Sequence, residues 1–173
     1  MLAKLAGTLT PNDLLYIHTE GHGGVQFGAG GGQYLYCIPD GPDSTDRYFD
    51  FQMQSDLQQI RGYDSLLVVM NQCFSGGFMD SVLAGSKAKR TFFAAACAGN
   101  KLAYATPDLR WNRFSRNWIE REQTQDPDGK VEAREAYAYC DDDDVRGPDT
   151  PLDGRMPPPG ANGQSPADAI VLR

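Results

Sequence analysis

Hydrophobic positions in this chain follow two rhythms: short unbroken apolar runs, and longer stretches with an apolar residue every three or four positions. "DLLYIHTEG" (13–21) opens apolar and breaks at Gly21, the pattern of a buried strand entering a loop. "SLLVVMNQ" (65–72) and "RTFFAAACAGN" (90–100) repeat it, each running into a cysteine-glycine loop. Between the first two, "STDRYFDFQMQSDLQQIRG" carries Phe49, Met53, Leu57 and Ile60 at helical spacing, with Ser44 or Thr45 as cap and Gly62 as stop. "FMDSVLAG" opens a short helix. "RWNRFSRNWIEREQ" (110–123) puts Trp111, Phe114, Trp118 and Ile119 on one helical face, and after "DPDG" a last helix follows in "VEAREAYAYC". "YLYCIPDG" (34–41) reads as a hairpin arm ending in a Pro-Asp-Gly turn. "GHGGVQFGAGGGQ" is too glycine-rich for the interior of a helix or strand.

Strands alternating with helices imply an α/β fold with a mostly parallel sheet covered by helices, because parallel neighbours need crossover connections. Ligands of such sheets sit beyond the carboxyl ends of the strands. His22 and Cys73 each follow a strand directly, so both are expected on that edge. The organisation predicted is one domain over 1–140 and an acidic, proline-rich segment over 141–173. Six of the eleven prolines fall in 148–166, which reads as an irregular or extended wrap.

Composition removes several function classes. The chain of 173 residues is long enough to bury a core, and its formal charge is −7. Residues 141–173 hold seven Asp against three Arg, so −4 of that charge lies there. No basic stripe is present for nucleic acid, and no apolar run reaches membrane-spanning length. No charged-then-apolar leader opens the chain, which gives the expectation of a soluble, cytoplasmic protein. The four cysteines form no Cys-x-x-Cys pair; free thiols are the default reading and two disulfides the alternative.

The chemistry concentrates in "YIHTEGHGGVQF" and "NQCFSGG". A cysteine attacks as thiolate and needs partial exposure and a histidine to protonate the leaving amine. Cys73 ends a strand beside Gly76 and Gly77, which let the chain turn sharply. A tetrahedral intermediate needs N–H donors aimed at its oxyanion, and those of Gly23 and Cys73 are the candidates. A metal held by His18, His22 and Cys73 is chemically allowed but lacks an evident fourth ligand. "GAGGG" (28–32) lacks the Lys-Ser/Thr of a phosphate loop. In "TQDPDGKVEARE" (124–135), Asp126, Asp128, Gly129 and Glu135 fall where a calcium loop has positions 3, 5, 6 and 12, against a first position filled by Thr124. A capped helix-turn-helix is the other reading. Asp141–Asp144 reads as a solvated acidic run.

"YIHTEGHGG" followed by "LLVVMNQCFSGGF" resembles the caspase-like cysteine peptidases, the group of caspases, metacaspases, legumains and their bacterial relatives. The separation, 73 − 22 = 51 residues, is close to the roughly 50 of caspases. The Cys-x-Ser-Gly form is closer to metacaspases and legumains. The likeness runs from about residue 13 to 140 and takes in "FFAAACAGNKLAYA" as a pocket-lining segment. It implies a caspase-like three-layer sandwich and a cysteine endopeptidase acting on a peptide or protein substrate without a cofactor. His22 and Cys73 are then catalytic, His18 is a strand residue, and Asn71, Cys97 and Ala98 border the substrate pocket. The family sheet begins with a strand and helix well before the histidine strand, whereas "MLAKLAGTLTPND" supplies one short helix, so an N-terminally truncated domain is expected. A non-catalytic caspase-like interaction module, or an inactive fragment, is the competing expectation.

Overall fold

The computed structural model describes residues 2–37, 46–108, 110–123, 128–142, 147–161 and 163–172. Its centre is a four-stranded sheet in the order β1-β5-β6-β7. β1 (Leu14–Thr19), β5 (Ser65–Met70) and β6 (Arg90–Ala95) are mutually parallel. β7 (Leu152–Met156) closes the far edge antiparallel to β6. This is an α/β fold with a mostly parallel sheet flanked by helices, as the alternation of patterns predicts.

Both faces of the sheet are covered: after Ser65 in β5 and after Arg90 and Thr91 in β6 every residue is apolar, which suits strands buried on two sides. Leu66, Val68, Met70, Phe93 and Ala95 face α1 (Asp50–Leu57) and α2 (Met79–Gly85), packing on Met53, Leu57 and Val82. Leu67, Val69, Phe92 and Ala94 face the other way, toward α3 (Arg113–Gln123) and α4 (Ala133–Asp141), where Phe114, Trp118, Ala136 and Tyr137 meet them. Burial of each such Leu, Val or Phe contributes about 1.5–3 kcal/mol. Among the described residues no helix is long and apolar enough to cross a membrane.

Four expectations change. The glycine-rich stretch after β1 is not all loop: Gly23–Gln26 forms β2, antiparallel to β3 (Gly32–Tyr36), which in turn pairs with β4 (Arg47–Phe49). The first helix starts at Asp50, with Phe49 as its N-cap and Gln52 returning its side chain to the Phe49 N–H at 2.8 Å; Ser44 and Thr45 lie outside the described residues. Trp111 precedes α3 and is 56% exposed, so the core face keeps Phe114 and Trp118 without it.

The proline-rich segment is also more regular than an irregular wrap. It supplies β7 and buries Ala167 and Ile170 in the core. Arg155 fastens it, pairing with Asp153 at 3.0 Å and Asp168 at 3.1 Å. All four cysteines are free thiols.

Candidate active site

The parallel register of β1 and β5 places the two chemical residues. Thr19 is the partner of Met70, and His22 and Cys73 each come three residues later. The strand ends are tied twice more, by Asn71 N–H donating to Thr19 O at 3.1 Å and by Thr19 Oγ1 donating to Gln72 Oε1 at 2.8 Å. Beyond the ties, the segment at Gly23 lies against the cysteine. A Cβ at position 23 would stand 2.2 Å from the Cys73 carbonyl oxygen and 2.7 Å from Gln72 Cγ. Only glycine permits that approach.

Ladder phase then fixes where the Gly23 N–H points. Tyr36 N–H donates to His22 O at 3.0 Å, so His22 and Tyr36 form a hydrogen-bonded pair. Gly23, opposite Leu35, falls in the next pair, which is not hydrogen-bonded. β2 is the edge of its sheet, so this N–H points off that edge instead of into the ladder. His22 itself is exposed.

Cys73 is half-buried, with its thiol toward the Ala103 carbonyl at 3.7 Å. The residue after it, Phe74, has φ +63°, the one positive φ outside glycine among the described residues. Such a conformation costs about 1–3 kcal/mol and persists where surrounding contacts hold it. Here Phe74 N–H donates to Lys101 O at 2.9 Å and Gly76 N–H to Cys97 O at 2.8 Å. A Cβ on Gly76 would come within 2.6 Å of that same Cys97 oxygen.

Of the residues expected to border a substrate pocket, Asn71 is 1% exposed, and its Nδ2 donates to Glu20 Oε2 at 3.0 Å. Cys97 is fully buried, beneath the Cys73 loop instead of at a surface, with its thiol toward Lys101 O at 3.3 Å. Burial pushes that thiol's pKa up, which keeps it protonated and inert. Ala98 is half-buried and lies under Gly76. His18 is the strand residue expected, its Nε2 2.8 Å from Ser115 Oγ. Burial, ahead of the opposing pull of Glu20, lowers its pKa and holds the ring neutral.

Sequence reading missed Glu20, Trp111 and Asn112. They line one wall of a cavity of about 510 Å³, shared with His18, Ala105 and Arg110. Its lining includes Ala105, two residues along the chain from Ala103, whose carbonyl faces the Cys73 thiol. Glu20 and Asn71 stand two residues before His22 and Cys73, respectively, and a charged residue directly after an apolar strand was the available signal.

In the calcium-like stretch, 124–127 lie outside the described residues. Glu135 caps α4 through the Glu132 N–H at 2.9 Å, and Asp128 accepts from Lys130 N–H at 3.0 Å. Both carboxylates do the work of a capped turn. Asp143 and Asp144 also lie outside the described residues.

These features define a class: an α/β domain with a histidine and a cysteine each three residues beyond one paired position of adjacent parallel strands. No protein-family model and no curated protein matches the chain. A solved structure, that of protein GSU0716 from Geobacter sulfurreducens, is similar with a TM-score of 0.64 at 16% identity, over 98% of this chain and 76% of that one. At that identity the likeness bears on the fold alone.

Proposed function

We propose that this chain is a caspase-like cysteine endopeptidase whose sheet is the core of a caspase-like three-layer sandwich. The observation that carries the proposal is the matched position of His22 and Cys73, each three residues past one paired position of adjacent parallel strands, with Gly23 against the Cys73 carbonyl. The Cys73 thiolate attacks the scissile carbonyl carbon, and the oxygen gains charge toward the N–H groups of Gly23 and Cys73. The carbon–nitrogen bond then breaks as the His22 imidazolium gives its proton to the departing amine. Water attacks the thioester, its proton passing to His22, and the thiolate is regenerated. General acid–base transfer of this kind contributes about 10²–10⁴ in rate, and each oxyanion donor about 10²–10³. Neither step draws on a cofactor.

Hydrolysis of a mixed-sequence fluorogenic peptide set tests the proposal. Turnover lost in Cys73→Ala and His22→Ala but kept in Cys37→Ala is expected; turnover that survives Cys73→Ala removes it. One observation favours a second reading, a non-catalytic interaction module. β1, sequence LLYIHT, is an edge strand without a charge or proline, and such edges invite pairing with another chain. Failure of every peptide to be cleaved, with retained folding, selects that reading.

A further inference from the structure

Alternation along β1 gives its two faces different cavities. His18 and Glu20 line the one already described, whereas Ile17 and Thr19 point the other way. There they meet Leu2 from a single helical turn (Leu2–Leu5), Leu35 from β3 and Met53 from α1 around a space of about 260 Å³. Cys37 and Tyr48 complete its lining among the described residues. Leu2, Ile17, Leu35 and Tyr48 are partly buried against the core that holds α1 and α2. The space is therefore a gap in a core, and cores ordinarily pack with few voids larger than a water molecule.

Water is a poor occupant for it. A buried ordered water takes about two to four polar partners. Tyr48 Oη donates to Asp56 Oδ2 at 2.9 Å and Thr19 Oγ1 to Gln72 Oε1 at 2.8 Å, so both lining hydroxyls spend their hydrogens on residues outside the lining. The free thiol of Cys37, a weak donor, is the remaining side-chain donor of the lining. A charged occupant fares worse. No Asp, Glu, Lys or Arg is among the described lining residues, and burial together with the Asp56 carboxylate pushes the Tyr48 phenol above its ordinary value and keeps it neutral. An ion entering these walls would lose its hydration with nothing to replace it. Apolar contact is what the walls offer. An apolar cavity of about 150 Å³ stays dry and takes up benzene, and by proportion about 260 Å³ has room for about ten carbon atoms.

We infer that this cavity is a binding site for a small uncharged hydrocarbon group of about six to ten carbon atoms, an aromatic ring or a short alkyl chain, seated on Ile17, Leu35 and Met53. The inference stands apart from the peptidase reading, because no lining residue is given a chemical step. Its ligand nonetheless lies next to the framework of the candidate site: Leu35 is the partner of Gly23, and Thr19 ties β1 to Gln72.

Toluene, benzoate and benzylammonium share one ring and differ in charge, and each is titrated into the full chain while the methyl signals of Ile17, Leu35 and Met53 are followed by NMR. Toluene is expected to move all three to a common saturation in the millimolar range, and the charged pair to leave them in place. Cys37→Phe and Ile17→Phe fill the space from two walls, and each is expected to abolish the toluene shifts while keeping the dispersed amide spectrum of the parent. A readout on the unaltered chain covers the case in which neither filled chain folds. Alkylation of Cys37 by iodoacetamide, followed at its own peptide by mass spectrometry, is expected to fall to about half its rate at the half-saturating toluene concentration. Absence of saturable toluene shifts, equal shifts from benzoate or benzylammonium, toluene shifts that survive in a folded filled chain, or unchanged alkylation of Cys37 overturns the inference.

Discussion

Replacing Gly23 by alanine adds a single carbon where the site has no room. That carbon would stand 2.2 Å from the Cys73 carbonyl oxygen, against about 3.3 Å for an ordinary carbon–oxygen contact, so the two segments must part by about 1 Å. The atoms in the way are backbone, and the Cys73 strand end is tied to β1 on its other side, so relaxation is limited. Forced overpacking of this size costs about 1–3 kcal/mol. It shows as a lower urea midpoint with an unchanged slope. In the proposed peptidase the same 1 Å would move the Gly23 N–H away from the oxyanion and the thiol away from the scissile carbonyl, for which about a 100-fold loss of kcat/KM is expected. Stability and activity thus fall together from one added methyl group. A Gly23→Ala chain within about 0.3 kcal/mol of the parent refutes the close approach, and with it the placing of Gly23 against Cys73.

Asp149, 3% exposed, accepts the Tyr104 N–H at 2.9 Å and so braces the loop that carries Ala103 to the thiol. Burial pushes its pKa up to about 6, above its unfolded value, so its protonated form stabilises the fold at low pH and that contribution is lost as pH rises through about 6. Asp149→Asn should therefore gain roughly 1–2 kcal/mol at pH 8 relative to its effect at pH 4, after allowance for solvent screening. Equal effects at the two pH values in urea unfolding count against this. Glu135→Ala removes the α4 capping box and is expected to cost about 1 kcal/mol in thermal unfolding, the same with or without added calcium. A loss that appears only with calcium present would restore the calcium-loop reading.

The strands that build the sheet were readable because being apolar on both faces leaves a continuous run, as in "SLLVVM" and "RTFFAA". The edges were not. β2 carries Gly23 and Gly24 because neighbouring groups press on its backbone, the Cys73 carbonyl on one and the Tyr34 ring on the other, so tertiary contact overrides the weak strand preference of glycine. β7 is hidden between prolines, and its Asp153 and Arg155 form an ion pair that composition alone reads as loop. Trp111 fits the helical spacing of Phe114 and Trp118, yet the helix begins two residues later, and periodicity does not fix a boundary. At the site, residues beside a strand end were legible as positions. The contacts of Glu20 were not, because they come from amides of Asn71 and Asn112, the latter 92 residues away in the chain.

The central claim is that Cys73 forms a covalent bond to substrate with the help of His22. A cleavable peptide amide mixed with excess chain, quenched in acid within one turnover and digested, shows where the acyl group resides by mass spectrometry. Expected is an acyl adduct on the fragment containing Cys73, absent in both Cys73→Ala and His22→Ala. Cleavage with no adduct on Cys73, or an adduct on the half-buried thiol of Cys37 in its place, contradicts the claim.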